Sequence, residues 1–160
     1  MEDEKGNLLV FEKLLSPAFS DHKQSVSDEV ERRLQVIVVF TSADATIAAL
    51  KRAGSITSCL TTFITLVVPQ VVPYPLPLKS PPVLLEFNER RFRIIAEATP
   101  AETTVRLYLC RDRWKTLKAV LKPNSLIVVG GRRRWWATEE KRLVRKLRRA
   151  GHDVILTETN

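Results

Sequence analysis

Residues 125–138 read SLIVVGGRRRWWAT, and this stretch decides how the rest of the chain is interpreted. Residues 126–129 form a short apolar run rich in β-branched members, the pattern of a strand buried on both faces of a parallel sheet. Gly130 and Gly131 follow, and they predict that the strand ends in a glycine turn, because glycine permits positive φ and close approach. The helix that follows would direct its unpaired N–H groups back toward this turn.

The side chains after the glycines predict an anion site at the same place. Arg132, Arg133 and Arg134 carry guanidinium groups that suit phosphate or carboxylate, and a helix N-terminus favours negative charge. Trp135 and Trp136 are suited to stacking on a base or a guanidinium, but core packing is the commoner role for at least one of them. The alternative for the arginines is a basic loop that contacts only solvent.

The composition is that of one soluble globular domain with an uneven charge. The chain has 160 residues, of which 44% are hydrophobic and 28% charged, and a net charge of +8. Residues 1–31 hold three basic and eight acidic side chains, whereas residues 111–149 hold fourteen basic and three acidic ones. Such a basic half attracts polyphosphates, nucleic acid or anionic lipid, but it does not identify the partner.

The cysteines and histidines predict neither a disulfide framework nor a zinc site. Cys59 and Cys110 lack the spacing of metal ligands, and only His22 and His152 are available to join them. The start MEDEK is acidic, unlike the basic first part of a secretory signal, which predicts reduced thiols and a cytoplasmic location.

The uncharged residues 54–78 invite comparison with a membrane span. Prolines at positions 69, 73, 75 and 77 interrupt them, and residues 54–68 are fewer than the roughly 20 apolar residues that a spanning helix needs. We therefore predict no membrane span.

Alternating strand and helix patterns predict a parallel sheet with right-handed crossovers. The predicted strands are residues 34–40, 62–68, 103–110, 126–129 and 153–157, with an edge position indicated for 103–110 by its alternation of apolar and polar residues. The predicted helices are residues 44–53 (ending at Gly54 or continuing to 60), 82–98 (or a hairpin at FNERRF), the segment capped by Asp112, and 138–150. The proline-rich residues 69–82 are predicted to form an extended surface loop.

Residues 1–33 precede the predicted domain, residues 34–160, and are predicted to be an accessory helical segment. Residues 8–15 fit a short amphipathic helix that ends before Pro17, and Ser27 is a candidate cap for a second helix. The segment either packs on the domain or docks to a partner or a membrane surface.

Catalysis has little support in the sequence, which predicts a protein that is not an enzyme. It contains no nucleophile elbow, no H-E-x-x-H motif and no Walker lysine loop. Thr41 and Ser42, at the carboxyl end of the first predicted strand, occupy a ligand-facing position but lack a neighbouring base.

With these elements in order, residues 34–158 resemble the universal stress protein family. The resemblance rests on VIVVFTS at residues 36–42, on TLVVP at 65–69 before a long proline-bearing loop, and on CRDRWKTLKAVLKPNSLIVVGG at 110–131. It implies a flavodoxin-like (Rossmann-like) open sheet of five parallel strands in the order 3-2-1-4-5, with helices on both faces. It also implies a regulatory, ligand-binding role in a stress response.

The family's ATP-binding members hold adenine between the ends of the first two strands, which implies Thr41, Ser42 and Val68 by position. They carry an acid after the first strand, where this chain has Thr41 and Ser42. They also carry G-x-x-G, nine residues and G-S/T after the fourth strand. Gly130 matches the first glycine, but Arg133 replaces the second, and Thr138 would stand in the final pair.

The resemblance thus implies that ATP binding is altered or lost, with ATP, AMP or another phosphate-containing ligand as the candidates. The predicted nucleotide or anion site consists of Thr41, Ser42, Val68, Gly130, Gly131, Arg132, Arg133 and Thr138. The alternative function is association with nucleic acid through the basic outer face of the last helix, for which charge is the only sequence argument.

The last strand, residues 153–157, is predicted to lie at a sheet edge and to pair with its copy in a homodimer. It contains neither proline nor lysine to discourage another strand, and the resembling family commonly dimerises there. The competing prediction is that residues 1–33 cover this edge.

Overall fold

The computed structural model describes residues 8–14, 35–58, 62–79 and 84–160 of the chain. Its strands are β1 (Leu8–Leu14), β2 (Gln35–Val39), β3 (Phe63–Val71), β4 (Thr103–Cys110), β5 (Leu126–Arg132) and β6 (Asp153–Thr159). Its helices are α1 (Ala43–Thr57), α2 (Leu85–Ala96), α3 (Arg113–Val120) and α4 (Glu139–Arg149).

The six strands form one sheet in the order β1-β4-β3-β2-β5-β6. The strands from β2 to β6 are all parallel, and counted along the chain they have the order 3-2-1-4-5, so the predicted flavodoxin-like α/β fold is confirmed. The central strands β2 and β5 are buried because helices cover both faces of the sheet.

Each face of the sheet packs against two helices. On one face, α1 and α2 contribute Ala49, Leu50, Phe92 and Ile95 to a core with Val38 and Val128. On the other face, α3 and α4 contribute Leu117, Val144 and Leu147 to a core with Val39 and Val129. The chain therefore leaves β2 toward one face and β5 toward the other, which opens a crevice between their carboxyl ends.

The helix predicted over residues 8–15 is wrong, because Leu8–Leu14 form a strand. β1 pairs antiparallel with β4 from Leu8↔Cys110 to Leu14↔Thr104, so β4 is not the sheet edge that its alternation predicted. An uncovered edge strand offers a row of unpaired backbone groups, and pairing with them outweighed the helical spacing of the segment. The predicted second helix, capped by Ser27, lies outside the described residues, and the domain start at residue 34 stays a prediction.

Strand β3 continues through Pro69 to Val71, three residues further than predicted. The Val67 carbonyl accepts the N–H of Phe40 at 2.9 Å, so the backbone groups of Val67 face β2. Backbone direction alternates along a strand, so Pro69 also faces that side, where β2 has already ended at Val39. Proline has no backbone N–H, but at this position no strand of the described sheet offers a partner for one. The sheet therefore loses no hydrogen bond, and proline fits in this strand.

The helix boundaries follow local capping signals. Asp112 caps α3 by accepting the N–H of Lys115 at 2.9 Å, as predicted, and Thr138 caps α4 by accepting the N–H of Lys141. Helix α1 runs through Gly54 to Thr57, and the segment containing FNERRF is helical, not a hairpin. Within the described residues, no helix is both long enough and apolar enough to cross a membrane.

Candidate functional site

The crevice between the carboxyl ends of β2 and β5 brings together two predicted site residues that are 89 positions apart. Pairing between the two strands ends at Val39↔Val129. Just beyond it, Thr41 Oγ1 donates a 2.8 Å hydrogen bond to the Gly130 carbonyl, and the Thr41 N–H donates to Thr46 Oγ1 at 3.2 Å. The hydroxyl hydrogen of Thr41 thus ties the two strand ends together.

The two glycines lie inside the strand, so the predicted glycine turn is wrong. β5 continues through both, with Gly131 opposite Glu158 and Arg132 opposite Thr159. Among the described glycines, only Gly151 has a positive φ. A β-carbon on Gly131 would lie 3.1 Å from Glu140 Cβ, and one on Gly130 would clash with the backbone of Ala45. These glycines let α4 and α1 approach the strand closely.

The N-terminus of α1 opens onto the crevice. Ser42 is its N-cap residue with extended backbone, and its side chain makes no capping hydrogen bond to the described first turn. A helix start whose first N–H groups lack such a bond favours an anion, as does the helix dipole. Asp44, exposed in the same turn, opposes this attraction with its negative charge.

Arg132 lies on the α1 side of the sheet at the end of β5. Val128 packs in the α1 core and Gly130 contacts Ala45, and side chains alternate between faces, so the Arg132 side chain belongs to that same face. It is exposed. Arg132 and the N-terminus of α1 therefore lie on the same face of the sheet, at its carboxyl edge.

Arg113, a residue that the sequence analysis missed, reaches the crevice from the opposite face. It is the first residue of α3, and its Nη2 donates to the Phe40 carbonyl at 2.6 Å. Burial lowers the pKa of Arg113, while the carboxylates of Glu139 and Glu140 raise it; the guanidinium stays charged at neutral pH. Its Nε is buried without a hydrogen-bond partner among the described residues. The predicted cap at Asp112 was the signal for a helix start here.

The remaining predicted site residues have mainly structural surroundings. Val68 is 3% exposed and lies in the core beneath α1 and α2. The hydroxyl of Thr138 is engaged in the cap of α4. Arg133 donates its backbone N–H to the Thr159 carbonyl at 2.8 Å, and its side chain is exposed.

The tryptophans depart from the expectation that at least one is in the core. Trp135 is 94% exposed and Trp136 is 54% exposed, in the loop between β5 and α4. Both indoles are therefore available to a partner.

The described part of the chain contains no group of three or more His, Cys, Asp or Glu side chains placed to hold a metal ion. His152 accepts the N–H of Ser125 through Nδ1 at 3.3 Å, which gives this histidine a structural contact.

The comparison with known proteins adds no family assignment. No protein-family model matches the chain, and no curated protein matches it.

Proposed function

We propose that this protein is a universal-stress-like ligand-binding or regulatory domain that takes a nucleotide or another phosphate-bearing anion between the carboxyl ends of β2 and β5. Two observations support the proposal: Ser42 makes no capping bond at the start of α1, and the exposed Arg132 ends β5 on the same face of the sheet by strand alternation. Helix N–H groups and guanidinium forks both favour phosphate oxygens.

Arg113 supports the same site from the α3 side of the sheet. The hydrogen bond to the Phe40 carbonyl holds the guanidinium of Arg113 at the end of β2. Its positive charge is therefore already in position to attract a bound phosphate. The short loop after β5 lacks the second glycine of the family motif, and ATP is therefore not preferred over AMP or a smaller phosphate-bearing ligand in this proposal.

Isothermal titration calorimetry tests the proposal with ATP, ADP, AMP, cyclic dinucleotides and inorganic phosphate. We expect heat from at least one of them, weaker binding in Arg132→Ala, and tighter binding in Asp44→Asn because it removes the opposing charge from the first turn. Arg52→Ala is the matched control, since Arg52 is exposed on α1 away from its N-terminus. No heat from any of these ligands at millimolar concentration would contradict the proposal.

The proposal includes a homodimer formed through β6. This strand forms the open edge of the described sheet, and its backbone groups at Val154, Leu156 and Glu158 point outward, because Asp153 and Thr159 face β5. Arg148 Nη2 donates to the outward carbonyl of Val154 at 2.9 Å and would have to move for strands to pair. The proposal also includes a cytoplasmic location and a role in the stress response, and only the sequence supports these two points.

A further inference from the structure

The loop between β5 and α4 presents a pair of exposed indoles with a guanidinium over one of them. The rings of Trp135 and Trp136 lie 6.1 Å apart between centroids at an angle of 57°. The Arg134 Cζ lies 5.4 Å from the centre of the Trp136 ring. Large aromatic side chains rarely face water together without a binding role.

This loop is held against the first turn of α4. Lys141, in that turn, donates through Nζ to the Arg134 carbonyl and also pairs with Glu158 at 3.4 Å. One residue earlier in the loop, the N–H of Arg133 donates to the Thr159 carbonyl and anchors the loop to β6. The loop that carries the indoles therefore lies beside the first turn of α4.

The outer side of α4 carries a stripe of cations. Arg142, Arg145 and Arg149 are all exposed, recur at the spacing of one helix face, and form no ion pair with the described residues. By contrast, Arg148 is engaged at the β6 edge, and Lys146 lies over the ring of Trp114. From Arg142 to Arg149 this stripe extends about 10 Å along the helix axis.

We propose that this tryptophan–arginine surface (Arg134, Trp135, Trp136, Arg142, Arg145 and Arg149) binds single-stranded nucleic acid. Unpaired bases stack on exposed aromatic rings, and the phosphates of the same strand follow a row of cations. A duplex hides its base faces in its own stack, so the indoles favour single strands. The inference does not depend on the proposed anion site, which uses Arg132, Arg113 and the α1 N-terminus.

The burial of α4 argues against a membrane as the partner. Val144 and Leu147 are buried against the sheet, and Leu143 packs on the same core. A helix that lies in a membrane surface needs an exposed apolar face to insert, and the apolar side of α4 is already covered. Two indoles and a row of arginines match a stacked polyanion better.

Fluorescence anisotropy with labelled oligothymidylate and oligouridylate tests the inference on the full chain. We expect binding to both at low salt, and weaker binding to a hairpin duplex of equal charge. The single strands should still bind when saturating AMP and inorganic phosphate are present, so failure of the anion site and failure of this surface give different results.

Replacement of the indoles separates stacking from charge. Trp135→Ala/Trp136→Ala should weaken oligonucleotide binding by about tenfold or more, whereas Trp135→Phe/Trp136→Phe should retain most of it. Phe87→Ala is the matched control, because Phe87 is a 60% exposed aromatic on α2, on the opposite face of the sheet.

Replacement of the three stripe arginines by glutamine tests whether they contact the phosphates of the strand. Arg142→Gln/Arg145→Gln/Arg149→Gln should make the negative slope of log K against log salt less steep by about 2, as expected for three lost contacts to a single strand. The control Lys51→Gln/Arg52→Gln/Arg90→Gln removes the same charge from exposed positions on α1 and α2 and should leave the slope nearly unchanged.

Several results would overturn the inference. They are the absence of any anisotropy change at low salt, equal binding of single strands and duplex, and unchanged affinity in the double alanine variant. Binding to vesicles of phosphatidylcholine and phosphatidylserine that requires the indoles, with no oligonucleotide binding, would assign the surface to a membrane instead. Circular dichroism of each variant confirms that the compared proteins are folded.

Discussion

A β-carbon built on Gly130 would lie 1.9 Å from the backbone carbonyl oxygen of Ala45. The first turn of α1 therefore rests directly on the end of β5, with no space for a side chain between them. Because the contacting atom belongs to the backbone, no rotation of a side chain can relieve the overlap. This contact sets how closely the N-terminus of α1 approaches the crevice.

The variant Gly130→Ala should lower the free energy of unfolding by about 3 kcal/mol, the upper part of the range for overpacked sites. Urea unfolding measures the loss. Gly131→Ala is the matched control and should cost less, because the 3.1 Å contact there is with the side-chain Cβ of Glu140. Equal losses in both variants would contradict the close contact with α1.

The variant Thr41→Val should cost about 1 kcal/mol of unfolding free energy, because it removes the hydroxyl that donates to the Gly130 carbonyl. Thr41→Ser keeps the donor and should recover most of this loss. The neighbouring Ser42→Ala should be nearly neutral, since that side chain makes no capping bond to the described first turn. A larger loss in Ser42→Ala than in Thr41→Val, measured by thermal or urea unfolding, would refute this assignment.

The buried Cys110 predicts a loss of stability at alkaline pH. Burial raises the pKa of its thiol, with a smaller contribution from Asp112 in the same direction, while its hydrogen bond with Thr116 lowers it. Above the unfolded pKa of about 8.5 the unfolded chain releases the proton first and binds fewer protons than the native protein. The free energy of unfolding therefore falls as pH rises from there toward the native pKa.

Cys110→Ala should show a weaker fall than the wild type over this alkaline range. Urea unfolding of both proteins at a series of pH values measures the difference, and all other titrating groups, Cys59 included, are common to the two. Parallel pH curves would show that the Cys110 thiol contributes nothing to the effect.

The proposed dimer predicts different effects for two substitutions at Leu156. Leu156→Pro removes an outward N–H at the open edge and should weaken association, whereas Leu156→Ala loses similar packing but keeps the N–H. The position matters, because the neighbouring Ile155 faces β5, where proline would break a bond within the sheet instead. Light scattering measures the oligomeric state; a monomeric wild type, or equal effects of the two variants, would refute pairing through β6.

The resemblance implied the order of the five parallel strands, and the sequence by itself determined the strands and the cap at Asp112. These features depend on local signals: apolar runs of β-branched residues, helical spacing of core residues, and side chains that bond to an N–H three residues away. It also placed Thr41, Gly130 and Arg132 at the carboxyl edge of the sheet, since the carboxyl ends of parallel strands all meet there.

Only the tertiary structure decided which residues meet at that edge. Arg113 and Phe40 are 73 positions apart, and Thr41 and Gly130 are 89 apart, so neither contact leaves a pattern in either local segment. The same reason explains the glycines, whose close neighbours are backbone and side-chain atoms of other elements. It explains β1 as well, because the unpaired edge of β4 made Leu8–Leu14 a strand despite its helical spacing.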